Sequence, residues 1–334
     1  MTPAPATAPG RTATPVPRRA ATTLVTLVVP LVVMVATVAL ALSWRDRLPD
    51  PVASHWGPDG VDGASSFAGL VSIVPLLGLP AAVLAWWFAF AAGRSALSRR
   101  TAAAIALWTS TFACAMTVVT LSAQLDVDHW SQARDLDGGL ALAFAVPVVV
   151  ALLGAWVTPG DGPAPAASPV PDSAPRLALP DGGQAAWVRR VDWVHPAVIV
   201  AIVVGFSALM GAITRSWWFP VTIGAFLLAV LVGLSGWTVT VDGRGLVAKA
   251  RLPRPRLVVP LDEVEHAEVV DVHPLREFGG WGLRVGLGGR VGLVVRSGEA
   301  LEVTRTGGRR VVVTVDDAAT GAALLNTLAA RARG

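Results

Sequence analysis

His55 stands among carboxylates: Asp50 precedes it and Asp59 and Asp62 follow, in the stretch Leu48-Pro49-Asp50-Pro51-Val52-Ala53-Ser54-His55-Trp56-Gly57-Pro58-Asp59-Gly60-Val61-Asp62. An imidazole beside carboxylates is the raw material of a zinc site or of proton transfer. His129, close to Asp126 and Asp128, is the second place of this kind. Neither spacing matches an established zinc-ligand pattern. The expectation is therefore a solvated loop with a structural histidine, and no metal, cofactor or catalytic residue is assigned. Pro fixes φ and Gly permits positive φ, so Pro49, Pro51, Gly57 and Gly60 imply a defined turn structure. The candidate binding residues of this loop are Pro49, Asp50, Pro51, His55, Trp56 and Gly60. The chain has no G-x-S-x-G, no H-E-x-x-H and no P-loop, so no enzyme is expected. Cys114 is the single cysteine, which excludes an intrachain disulfide and a cysteine-rich metal site.

The elements that hold this loop are apolar. Charged residues make up 15% of the 334-residue chain, against roughly 25% in a soluble domain. Six runs have the length and apolarity of spanning helices: 21–43, 67–92, 101–122, 139–157, 196–213 and 219–237. About 20 apolar residues cross a hydrocarbon core of about 30 Å. Arginine sets the orientation. Arg11, Arg18 and Arg19 precede the first run, Arg94, Arg99 and Arg100 follow the second, and Arg176, Arg189 and Arg190 follow the fourth. The first and third connections are acidic. This places both termini in the cytoplasm of a multi-pass cell-membrane protein, with the His55 loop outside. Trp44, Trp156, Trp193, Trp217, Trp218 and Trp237 are expected to form the aromatic belt. The runs contain no ionisable residue at their centres, which argues against a proton-coupled pump. The hydroxyls of the third run, Thr109, Ser110, Thr111, Thr117, Thr120 and Ser122, read as helix-packing groups. A sequence pI near 10.7 reflects cytoplasmic arginine rather than nucleic-acid binding. Nearly all of the basic charge is Arg, as in a GC-rich, actinobacterial genome.

The P-D-P-x-x-x-H-W-x-x-x-G pattern of residues 49–60, directly after a first spanning helix, resembles the membrane domain of unknown function 1648. That domain also forms the N-terminal part of SdpI-type immunity proteins. The resemblance covers residues 21–92 and implies a membrane receptor that confers toxin immunity and sequesters a repressor.

Residues 159–192 read as a Pro-rich cytoplasmic linker, extended or disordered, between a four-span domain (21–158) and a two-span hairpin (193–237). Residues 1–20 read as a disordered tail. After Trp237 the apolar period becomes strand-like. Candidate strands are 238–241, 246–251, 256–260, 264–272, 281–287, 290–296, 299–305 and 309–315, followed by a helix capped at Asp316-Asp317. The fold class expected is thus a helical membrane bundle of about six spans plus a small C-terminal β-barrel closed by one helix, over 238–334. This order resembles a bacterial pleckstrin-homology-like domain, which implies binding of lipid head groups, peptides or proteins. Candidate cytoplasmic contacts are Arg251, Arg254 and Arg256 in a basic loop, and Trp281 and Arg284 in the Gly279-Gly280-Trp281-Gly282-Leu283-Arg284 bend. The bend reads as close-packed around a structural Trp. The partners expected are the bilayer, anionic head groups or a cytoplasmic protein. The function expected is that of a sensor, scaffold or immunity-type protein, with a small-molecule or peptide transporter as the alternative.

Overall fold

A computed structural model describes residues 18–57, 59–93, 95–166, 168–180, 182–192, 195–214, 217–252 and 255–333. Arg254 and most of the N-terminal tail lie outside the described residues. Four helices are long and apolar enough to cross a membrane: α1 (Arg19–Ser43), α2 (Phe67–Ala91), α3 (Ala96–Ser122) and α4 (Asp137–Val157). In α1 a widened π turn, Leu24–Val28, precedes Pro30, which has no N–H to donate. α3 is the central helix and packs against α1, α2 and α4. Its alanines make this possible: Ala102 and Ala106 meet Ala85 and Ala89 of α2 in one buried cluster, and small residues let helix backbones approach. The hydroxyls of α3 mostly return to their own helix, as Thr111 does to Leu107 O and Thr117 to Ala113 O; Ser110 reaches across to Gly78 O.

Between α1 and α2 the His55 loop is a hairpin of β1 (Val52–Gly57) and β2 (Gly60–Ser65), antiparallel, with Gly57 facing Gly60 at the turn. Gly60 has φ +111°, a conformation few side chains tolerate.

The C-terminal region is sheet-rich, but its boundary is not at residue 238. Trp187–Asp192, expected within the linker, is strand β3. It pairs antiparallel with β4 (Gly236–Asp242). Between these neighbouring strands the chain makes two apolar helices, α5 (Pro196–Thr214) and α6 (Trp218–Ser235). The helical hairpin is therefore an insertion in the β-domain, and α6 runs into β4 without a linker. Trp237, assigned to an aromatic belt, is instead 4% exposed in the β-core, and its Nε1 donates to Leu234 O.

β5 (Gly245–Ala250) and β6 (Arg256–Pro260) complete a four-stranded sheet in the order β3-β4-β5-β6. The strands β7 (Val264–Val272), β8 (Gly282–Val285), β9 (Val291–Val294), β10 (Gly298–Arg305) and β11 (Arg309–Thr314) make a second sheet in the order β7-β10-β11-β9-β8. A short helix, α7 (Pro274–Phe278), links β7 to β8. The two sheets are open and do not close into the expected barrel. The last helix, α8 (Ala318–Arg331), packs against strands of both sheets. On the outer edge of β7, Asn326 of α8 accepts from Ala267 N–H at 2.8 Å and donates to Ala267 O at 2.8 Å. At this one edge residue both backbone groups are taken by a side-chain amide.

The described residues of the proline-rich stretch 159–186 form no helix or strand, yet it is pinned. Leu177 N–H donates to Thr327 Oγ1, Thr327 Oγ1 donates back to Leu177 O, Asn326 Nδ2 donates to Pro175 O, and Arg333 donates to Ser168 O. Val170 is 4% exposed in the β-core. Prolines remove donors but leave carbonyls, and Asn326 of α8 uses that of Pro175. Asp317 ties β3 to the start of α8: its carboxylate accepts from Thr320 Oγ1, Trp187 Nε1 and Arg189. These bonds, Thr320 first and then Trp187, hold its pKa below the ordinary carboxylate value.

Candidate functional site

At one end of the four-helix unit the β1–β2 hairpin is strapped to the segment after α3. Gln124, fully buried, clamps Ala53: its Oε1 accepts from Ala53 N–H at 2.7 Å and its Nε2 donates to Ala53 O at 3.0 Å. Arg47 makes a two-pronged contact to Asp126 at 2.9 and 2.5 Å, and this bond holds the Asp126 pKa down. Trp56 Nε1 donates to Arg134 O. Of the loop residues singled out, Asp50 pairs with Arg45, Pro49 is buried and Pro51 is exposed. His55 is exposed and its Nδ1 meets Asp62 Oδ1. His129 does not join it; that ring contacts Ser131. Among the described residues no three His, Cys, Asp or Glu side chains form a metal-holding group. Gln124 carried no sequence signal, since a lone amide after an apolar run reads as a solvated turn.

At the other end, the turn between α2 and α3 meets the β-domain through a buried ionic network. Arg99, 0% exposed, donates to Gly93 O at 2.7 Å, Pro159 O at 3.0 Å and Asp161 Oδ1 at 3.1 Å. Asp161 also accepts from Ala96 N–H and lies 3.7 Å from Arg309. Arg309 and Arg305 converge on Glu263, which is 4% exposed and accepts from Ala164 N–H. Burial, and then the neighbouring Arg305, push the Arg309 guanidinium pKa down. A Cβ added at Gly289 would sit 3.5 Å from Ala92 O, so the β8–β9 loop lies against the end of α2. The sequence marked Arg99 only as cytoplasmic charge and left Glu263, Arg305 and Arg309 unmarked.

The remaining candidates are dispersed. Arg251 pairs with Asp192, and Arg256 is exposed on β6. Trp281 is 43% exposed, not buried in a close-packed bend. Gly279, Gly280 and Gly282 all have positive φ around it, and Arg284 Nε donates to Trp281 O. The three glycines turn the indole outward, so it is a surface feature of the β-domain. Glu277 on α7 accepts from His273 N–H and from Arg290, bonds that lower its pKa in that order.

Compared with protein-family models, curated proteins and solved structures, the chain matches none.

Proposed function

We propose that this chain is a non-enzymatic bacterial membrane sensor with six spans, both termini cytoplasmic, and a cytoplasmic β-domain that receives the state of the outer hairpin. The observation that carries the reading is α3. Gln124, just past its C-terminal end, clamps the hairpin, and Arg99, in its first turn, holds Asp161, which lies 3.7 Å from Arg309 of the β-domain. A single helix of 27 residues, about 40 Å at 1.5 Å per residue, thus joins the two ends. The resemblance of residues 49–60 to the domain found in toxin-immunity receptors agrees with an outward-facing sensing loop. The six-span reading rests on α5 and α6: Ile202, Val204, Phe206, Leu209, Val221 and Phe226 are each more than half exposed, as lipid-facing side chains are.

Two experiments test this. In a Cys114→Ala background, an impermeant thiol reagent applied to intact cells should label Ser54→Cys and Trp217→Cys but not Ala332→Cys. Trp217 lies between α5 and α6, immediately before Trp218, so an unlabelled Trp217→Cys would leave four spans and a hairpin that does not cross. For sensing, Gln124→Leu leaves the buried Ala53 N–H and C=O unpaired, at about 1–3 kcal/mol per group. Hydrogen exchange of the reconstituted protein should quicken in 52–65 and also change in 305–309. A change confined to the hairpin would mean that the two ends are not coupled.

A further inference from the structure

The four-stranded sheet has one face in the core and one face bare. Trp187, Val191, Trp237, Val239, Leu246 and Ala248 point inward. On the other face, register aligns Arg190, Thr238, Lys249 and Arg256 in one row across all four strands, each exposed. Acids on this face are already engaged: Asp192 by Arg251 and Asp242 by Arg244. Among the described residues, Arg190, Lys249 and Arg256 have no carboxylate partner. The next row along the strands is Val188, Thr240, Val247 and Val258, with Val188 and Val258 exposed.

The position of the basic row is fixed by the chain itself. Arg190 is two residues before Asp192, where the chain leaves for α5, and Thr238 is two residues after Gly236, where α6 ends. Two residues span about 7 Å at roughly 3.3 Å each, less than the Debye length of about 10 Å at 0.1 M salt. A second contact sets the same depth. Leu252, 40% exposed in the loop after β5, lies where a Cβ on Gly233 would be 2.4 Å from its Cδ1. That loop therefore descends beside the last turn of α6.

We propose that this bare face is a docking surface for the anionic phospholipid head groups of the leaflet that α5 and α6 enter. The proposal rests on the six-span reading. Three unpaired cations at head-group depth, flanked by exposed Val188, Val258 and Leu252, are the composition of an interfacial surface. The basic loop expected from sequence contributes less than its arginine count implied, because Arg251 is held by Asp192; Arg190 and Lys249 take its place. Each basic residue near an anionic surface favours the docked state about fivefold, so removing three shifts the docked-to-free ratio on the order of a hundredfold.

The test uses the full chain with Cys114→Ala and a spin label at Val258→Cys. It is reconstituted in vesicles of phosphatidylcholine, alone or mixed with phosphatidylglycerol, each doped with a paramagnetic head-group lipid. Collisional relaxation of the label should rise with phosphatidylglycerol, fall again at high salt, and lose its lipid dependence in Arg190→Gln/Lys249→Gln/Arg256→Gln. The charge reversal Lys249→Glu alone should weaken the response, which guards against a fold lost in the triple variant. Equal relaxation in both lipids, or a triple variant that responds like the parent, overturns the proposal. A label at Ile202→Cys on α5 separates the two readings. If it is absent from the hydrocarbon, the six-span reading falls and takes the docking face with it. If it is in the hydrocarbon while Val258 stays unresponsive, the docking face alone is refuted.

Discussion

Residues 238–334 expressed alone will not melt cooperatively, whereas residues 164–192 joined through an Asn-Gly turn to residues 236–334 will. The shorter piece lacks β3 and the strap. It therefore loses Trp187, Val191, Val170 and Trp237, each less than 9% exposed in the core. Burial of a large apolar side chain contributes roughly 1.5–3 kcal/mol, and a whole domain is stable by only about 5–15 kcal/mol, so four such losses consume most of the margin. The truncation also removes the Trp187 and Arg189 donors to Asp317 and the Leu177 partner of Thr327. The joined piece restores all of these. It is buildable because Asp192 and Gly236 are antiparallel Cα partners, and a two-residue Asn-Gly turn suits the twist of such a pair. Circular dichroism melts, with tryptophan fluorescence as a second probe, check both pieces. Cooperative melting of 238–334 with full β signal would show β3 to be dispensable.

The strands after residue 238 were legible because their apolar residues alternate and glycines mark the turns. β4 to β11 fall within a few residues of their expected places. β3 was hidden for a physical reason. Trp187-Val188-Arg189-Arg190-Val191-Asp192 follows a run of prolines and carries two arginines, so it reads as juxtamembrane charge. Its pairing partner lies more than 40 residues away, beyond two helices. Sheet closure was equally illegible, because strand count does not say whether an edge is met by a strand or by an amide. Asn326 on Ala267 and Gln124 on Ala53 are the same device. Each fills both backbone positions of one edge residue from a distant segment. Local sequence carries no mark of such a contact.

The ionic network was illegible in a different way. Arginine near a span end follows a topological rule, and that rule accounts for Arg99 without implying burial. Three guanidiniums, Arg99, Arg305 and Arg309, meet two carboxylates, Asp161 and Glu263, between elements that are far apart in sequence. Among the described residues Arg99 Nε has no hydrogen-bond partner.

The sharpest consequence concerns Glu263. Glu263→Ala should destabilise the protein by about 3–5 kcal/mol, the range for removing one partner of a buried ion pair. Arg305 and Arg309 would then face each other at 8% and, for the Arg309 side chain, 14% exposure, with Asp161 the remaining carboxylate partner among the described residues. The Ala164 N–H would lose its acceptor as well, which loosens the strap where it enters the β-domain. Replacing both members by apolar groups, Glu263→Leu with Arg305→Met, should be less harmful than Glu263→Ala alone, because no unpaired charge is left at that pair. Thermal denaturation of the detergent-solubilised protein reads the stability, and limited proteolysis within 159–186 reads the strap. A Glu263→Ala protein as stable as the parent would show that water reaches Arg305 and Arg309 freely, and that the joint between helices and β-domain is held by packing alone.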